Sequence, residues 1–189
     1  MTTGTMMENT ITNTAPENPD FARAIRAAYR MRLYYDPSDL SLAFDPFIPL
    51  SVEPDLRVCK YMTFCERHGL DASEFLSKVS PDGFTLREGR HYIILYNDAP
   101  HIPPGRKRFT LAHELGHYTL RHRRDGEKEE QEANCFARNL LAPRLFAITR
   151  GISFADYPRV FGISAAAARM CELKQDLDMQ VPTDVFPIR

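Results

Sequence analysis

The 189-residue sequence has no apolar run of membrane-spanning length, no excess of either charge and no Cys-x-x-Cys pair, and each absence narrows what the chain can do. Without about 20 consecutive apolar residues there is no segment to cross a bilayer as a helix. The 24 basic and 25 acidic residues give a formal net charge of −1. No global field therefore draws the chain onto nucleic acid or an anionic membrane, although local clusters remain at Arg106-Lys107-Arg108 and Arg121-His122-Arg123-Arg124. The second cluster reads as cations complementing the end of a helix. The four cysteines, Cys59, Cys65, Cys135 and Cys171, lack the density of a disulfide scaffold and are expected to be reduced and mostly buried. The Thr- and Asn-rich N-terminus has neither the basic nor the hydrophobic region of a signal peptide, which implies a cytosolic protein. The length suits one ordinary domain, with room for a small appendage.

What the sequence does contain is His113-Glu114-Leu115-Gly116-His117. Histidines four apart on a helix lie about 40° apart around its axis, so both imidazoles can reach one metal ion while Glu114 approaches its bound water. Such a pattern also arises by chance, and the context decides against chance. Pro103, Pro104 and Gly105 punctuate the chain just before it, and helical spacing then runs without proline from Arg106 to Arg121. Leu111 and Leu115 point away from the histidines, which anchors the back of the helix in a core. Gly116 is a poor helix former, so its place beside a ligand implies close approach by another element.

Along the rest of the chain, residues 1–20 carry no apolar period and are expected to lack fixed structure. Phe21, Ile25, Ala28 and Tyr29 predict an amphipathic helix ending before Pro37. Phe47–Val52 reads as a short edge strand, and Leu56–Glu66 leans towards helix. Asp71 opens a short helix through Val79, and Pro81-Asp82-Gly83 makes a turn. Phe84–Arg87 and His91–Asn97 form a hairpin whose strand lies beside the metal helix, where it can hold an extended peptide by strand addition. A second long helix runs from Glu127 to Leu141, stopped before Pro143. In the tail, two helical stretches flank Phe161-Gly162-Ile163-Ser164; the spacing resembles helix-turn-helix, but Pro158 and the alanines at 165–168 favour a packing element over a DNA reader.

A catalytic zinc takes three protein ligands and leaves a fourth position for water. His122, five residues beyond His117, is turned about 140° away from it, and His68, His91 and His101 lie outside the two facing helices. An acidic residue on the 127–141 helix is the natural third ligand. Glu130 shares the direction of the buried stripe, Glu129 is second choice, and Glu127 and Glu132 read as a solvated first turn. Asn134 is placed to orient a ligand. His101 and Tyr96 are candidates for a second oxyanion donor.

These residues, Arg108-Phe-Thr-Leu-Ala-His-Glu-Leu-Gly-His-Tyr118 followed by Glu130-Gln-Glu-Ala-Asn-Cys-Phe-Ala137 and Leu140-Leu-Ala-Pro143, make the chain similar to the ImmA/IrrE family of small bacterial and phage zinc peptidases. The resemblance implies an α+β fold, mainly helical and zincin-like, with a small β-sheet beside the active-site helix and a helical C-terminal tail. It implies zinc on His113, His117 and Glu130, with Glu114 as the catalytic base. It further implies limited cleavage of a protein partner, typically a helix-turn-helix repressor of phage, mobile-element or stress genes. Ala142 stands where the family usually has Met. The expected organisation is an unstructured segment at 1–20, a peptidase domain at 21–148 and a helical extension at 149–189 packed on it. The rival readings are a non-catalytic zinc-stabilised regulator and a DNA-binding protein; intact Glu114 disfavours the first and the neutral charge balance the second. Direct nucleic-acid or membrane binding is not expected.

Overall fold

The computed structural model describes residues 18–36, 43–124 and 126–179. The expectation for residues 1–20 lies outside them up to residue 17. Residues 18–20 are described, and the Asp20 side chain caps helix α1 (Phe21–Tyr35) by accepting from Arg23 N–H at 2.9 Å. That cap satisfies one of the donors a helix leaves unpaired at its start. Ala24, Ile25, Ala28 and Tyr29, all wholly buried, form the helix face that packs on α6 (Glu127–Leu141).

Phe47–Val52 is a helix, α2, not an edge strand. The Asp45 carboxylate accepts from Phe47 N–H at 3.0 Å, and Pro46 supplies a helical backbone angle ahead of it. Burial then falls on the adjacent residues Pro49 and Leu50 rather than alternating, as a half-buried strand would require. After α2, Glu53 accepts from the Tyr35 and Tyr118 hydroxyls at 2.6 and 3.2 Å, tying this corner to α1 and to the metal-motif helix.

Leu56–Glu66 is likewise not one helix: Leu56–Lys60 is strand β1, and α3 (Tyr61–His68) begins where β1 ends. Periodicity over so short an apolar run cannot separate the two states, and pairing with a distant strand decides it. α4 (Ala72–Lys78) starts at Asp71, whose carboxylate accepts from Glu74 N–H at 2.7 Å. The hairpin is formed by β2 (Gly83–Glu88) and β3 (His91–Tyr96). The sheet order is β1-β3-β2: β1 runs parallel to β3 from Leu56↔Tyr92 to Lys60↔Tyr96, and β2 antiparallel from Gly83↔Tyr96 to Glu88↔His91. β2 is therefore an edge strand, and it lies against α5 (Pro104–Thr119). The fold is α+β and mostly helical, with a small three-stranded sheet beside the motif helix.

The tail contains α7 (Arg144–Thr149), a 3-10 turn at Phe154–Asp156, α8 (Tyr157–Phe161), α9 (Ala165–Leu173) and α10 (Gln175–Asp178). Pro158 sits in the first turn of α8, where its missing N–H costs nothing. Phe146, Ala147, Tyr157, Phe161, Ala168 and Cys171 form a small apolar cluster of their own. The Arg108 side chain on α5 reaches into this region, donating to the carbonyls of Gly162 at 2.6 Å, Phe161 at 3.2 Å and Phe44 at 2.8 Å. All four cysteines are free, with Cys65, Cys135 and Cys171 buried. Among the described residues no helix is long and apolar enough to cross a membrane.

Candidate metal centre

α5 starts on Pro103-Pro104 and turns Leu111, Ala112 and Leu115, all wholly buried, into the core. His113 and His117 are left on its front, half-buried. Opposite them runs α6, and the two helices approach closely where Gly116 faces Ala133 and Phe136. A Cβ on Gly116 would lie 3.0 Å from Phe136 Cδ1, 3.2 Å from Ala133 Cα and 3.3 Å from Ala133 O. The small pair thus lets α6 bring Glu130, one turn before Ala133, up to the histidines.

His113 Nε2 and His117 Nε2 stand 3.1 Å apart, and the two Glu130 carboxylate oxygens lie 3.4 Å from one and 3.4 Å from the other. Bonds of about 2.0–2.1 Å to one ion at tetrahedral angles place ligand atoms about 3.3–3.4 Å apart, and each of these pairwise spacings is close to that, the two to Glu130 being made by different carboxylate oxygens. Among the described residues these three form a cluster able to hold a metal ion. Asn134 Oδ1 lies 3.1 Å from His113 Nδ1; as an acceptor it keeps the proton on that nitrogen and Nε2 free to bind. Glu130 and Asn134 stand towards the histidines, but the Glu130 side chain is 50% exposed rather than buried with the apolar stripe that the helical projection assigned it to.

Charges within the cluster oppose one another. Burial pulls His113 down, but hydrogen bonding to Glu130 and the charges of Glu114 and Glu130 outweigh it and leave its pKa raised. His117 is pushed down to about 4, by burial first and then by His113 and His122. Glu130 is lowered, chiefly by its hydrogen bond with His113.

Glu114 is 7% exposed, and its Oε2 accepts from the Thr85 hydroxyl at 2.7 Å. Thr85 lies on the edge strand β2, so one hydrogen bond joins the sheet edge to the carboxylate of the motif. The sequence carried no signal for this contact, because it depends on the tertiary fit of β2 against α5. Of the two residues named as oxyanion candidates, Tyr96 packs edge-on against Phe47, and His101 is exposed in the loop ahead of α5.

Two further residues escaped the sequence reading. Glu132, expected to be solvated, is wholly buried, and its carboxylate meets His122 Nε2 at 3.0 Å. His122 in turn places Nδ1 3.0 Å from His117 Nδ1. The 140° offset of His122 holds only for a continuing helix, and α5 ends at Thr119.

A comparison with the curated proteins and one with the solved structures gave no match. Residues 65–169 match the model of the peptidase M78 family, described as the IrrE N-terminal-like domain, and this span contains the histidines, Glu114, Glu130, Asn134 and the hairpin. On that match, which covers more than half of the chain, the protein belongs to the ImmA/IrrE family of peptidases.

Proposed function

We propose that the chain is a zinc-dependent endopeptidase that acts inside the cell by limited cleavage of one protein partner, a helix-turn-helix repressor. The observation that carries the metallopeptidase reading is the triangle of His113 Nε2, His117 Nε2 and a Glu130 oxygen beside the buried Glu114 carboxylate. Two imidazoles and one carboxylate suit zinc better than the hard, oxygen-seeking cations. When bound there, zinc supplies Lewis acidity towards a water molecule and towards the scissile carbonyl.

Every other step falls to the chain. Glu114, oriented by Thr85, accepts the proton of the attacking water and returns it to the leaving amine, a role worth about 10²- to 10⁴-fold in rate. The free edge of β2 offers backbone donors and acceptors to an extended peptide, and Thr85 fixes the distance from that edge to Glu114. The repressor as substrate rests on the family resemblance alone. The deciding experiment incubates the zinc-loaded chain with the helix-turn-helix protein encoded beside its gene. Wild type is expected to make a defined cut, and Glu114→Gln to keep zinc while losing at least 100-fold in rate, since the amide matches the shape and cannot take the proton. Equal cleavage by both would remove Glu114 from the mechanism.

A further inference from the structure

His122 follows α5 rather than belonging to it. Arg121 has φ 54°, a left-handed conformation uncommon for a residue with a side chain. The turn it makes folds the chain back, and the His122 N–H donates to the His117 carbonyl at 3.0 Å. His122 Nδ1 then meets His117 Nδ1, the nitrogen of that ring not facing His113 and Glu130. At its far side, His122 Nε2 meets Glu132 Oε2. Glu132 is held in turn from the start of α1: its Oε1 accepts from the Asp20 backbone N–H at 2.8 Å, and the Arg23 guanidinium stands 3.6 Å from Oε2.

A carboxylate accepts, and with both imidazoles neutral each proton along the chain has one place from that end. Glu132 accepts, so His122 carries its proton on Nε2 and presents a lone pair at Nδ1. That lone pair accepts from His117, whose proton therefore sits on Nδ1. His117 Nε2 is left bare and faces His113 Nε2 and Glu130, the form a cation needs. Asn134 achieves the same for His113 in one step. Metal-binding histidines usually donate directly to a carboxylate or carbonyl; here a second imidazole stands between.

We infer that His122 and Glu132 are positioning residues of the metal centre, a carboxylate–imidazole–imidazole chain that holds His117 in its Nδ1–H tautomer with Nε2 open to the metal. This rests on the metal-binding reading above, though not on the peptidase reaction. The chain also makes the first turn of α1 part of the centre's support, since Asp20 and Arg23 fix the outer carboxylate.

The test measures two quantities on the full chain: zinc affinity by competition with a chromophoric chelator, and the His117 tautomer from imidazole ¹⁵N shifts after chelator treatment. Wild type is expected to hold His117 as Nδ1–H. Glu132→Gln offers one oxygen and one amide to two donors, Asp20 N–H and His122 Nε2–H, and so leaves one of them facing an N–H. It is expected to mix the His117 tautomers and weaken zinc about 10- to 100-fold. His122→Leu should do the same. His122→Gln, whose amide can accept from His117 and donate to Glu132, should return zinc affinity to within about threefold of wild type. Zinc binding unchanged in Glu132→Gln and His122→Leu overturns the inference, as does weakened binding with the His117 tautomer intact, which marks a structural role only. A wild-type chain that binds no zinc overturns the metal reading with it, whereas zinc-binding wild type with unaffected variants overturns the chain of hydrogen bonds alone. Should His122→Leu fail to fold, Glu132→Gln, which keeps size and shape, decides on the same two readouts.

Discussion

Glu130 and Glu132 lie two positions apart on α6 and serve opposite sides of it. Glu130 faces the histidines of α5, and both its direction and its spacing to Ala133 and Asn134 were legible in the sequence, because a projection of one helix is enough to find them. Glu132 was not legible. Its partners are a histidine reached through the left-handed turn at Arg121 and a backbone N–H at the start of α1, and neither exists in a projection of α6 alone. Replacing Glu130 by Ala is expected to cost zinc affinity by orders of magnitude, whereas Glu127→Ala and Glu129→Ala keep near-stoichiometric metal after dialysis against a weak chelator. Full zinc in Glu130→Ala together with loss in Glu129→Ala would mean that α6 presents a different face. Acid sensitivity follows from His117, whose pKa falls from 6.5 to about 4. A depressed pKa contributes stability that is complete above the unfolded value of 6.5 and is lost as pH falls through about 4. In urea unfolding after chelator treatment, the wild-type chain should lose stability across that window more steeply than His117→Gln. Parallel pH profiles would argue against a neutral, buried His117.

At the scale of elements, the long periodic helices α1, α5 and α6 could be read directly, because each buries one face over several turns. Among the short elements α4 was legible from its Asp71 cap, whereas two others were not. At Phe47–Val52 the local cap from Asp45 outweighs the strand-like composition, and at Leu56–Lys60 pairing with β3 outweighs a helical lean. The crossing of α5 and α6 lies between these cases: Gly116 announced a close approach without naming the partner, which proves to be Ala133 and Phe136. Alanine at 116 would gain about 1 kcal/mol in helix propensity yet push its Cβ against α6 backbone atoms that cannot easily yield. Valine adds two further methyl groups at that contact. Gly116→Val is therefore expected to destabilise the fold by about 1–3 kcal/mol in urea titration and to weaken zinc by moving Glu130 away from the histidines. Unchanged stability and unchanged zinc affinity would show that the crossing does not set the site.

Across the whole molecule, the two ends of the described chain converge on α6, the helix that carries Glu130. The start of α1 reaches Glu132. The end of the tail reaches Arg138 and Asn139 through Asp178, which is 2% exposed and accepts from Arg138 at 2.7 and 2.6 Å and from Asn139 Nδ2 at 2.9 Å. The two helical stretches flanking residues 161–164 were legible in the sequence, but this clamp was not, since an aspartate near the end of a polar helix looks solvated until the opposing arginine is placed. The clamp closes over Cys135 and Cys171, whose thiols burial pushes up to about 12, so the carboxylate and guanidinium meet in a poorly hydrated space. Breaking a buried pair from one side strands the other charge and costs about 3–5 kcal/mol. Asp178→Ala should therefore destabilise the chain by that amount in urea, and Arg138→Ala by a similar amount. The double variant should fall well short of their sum, because once both charges are gone neither is left unpaired. Additive losses would mean that the two residues act independently and that the tail is held to α6 by its apolar contacts alone.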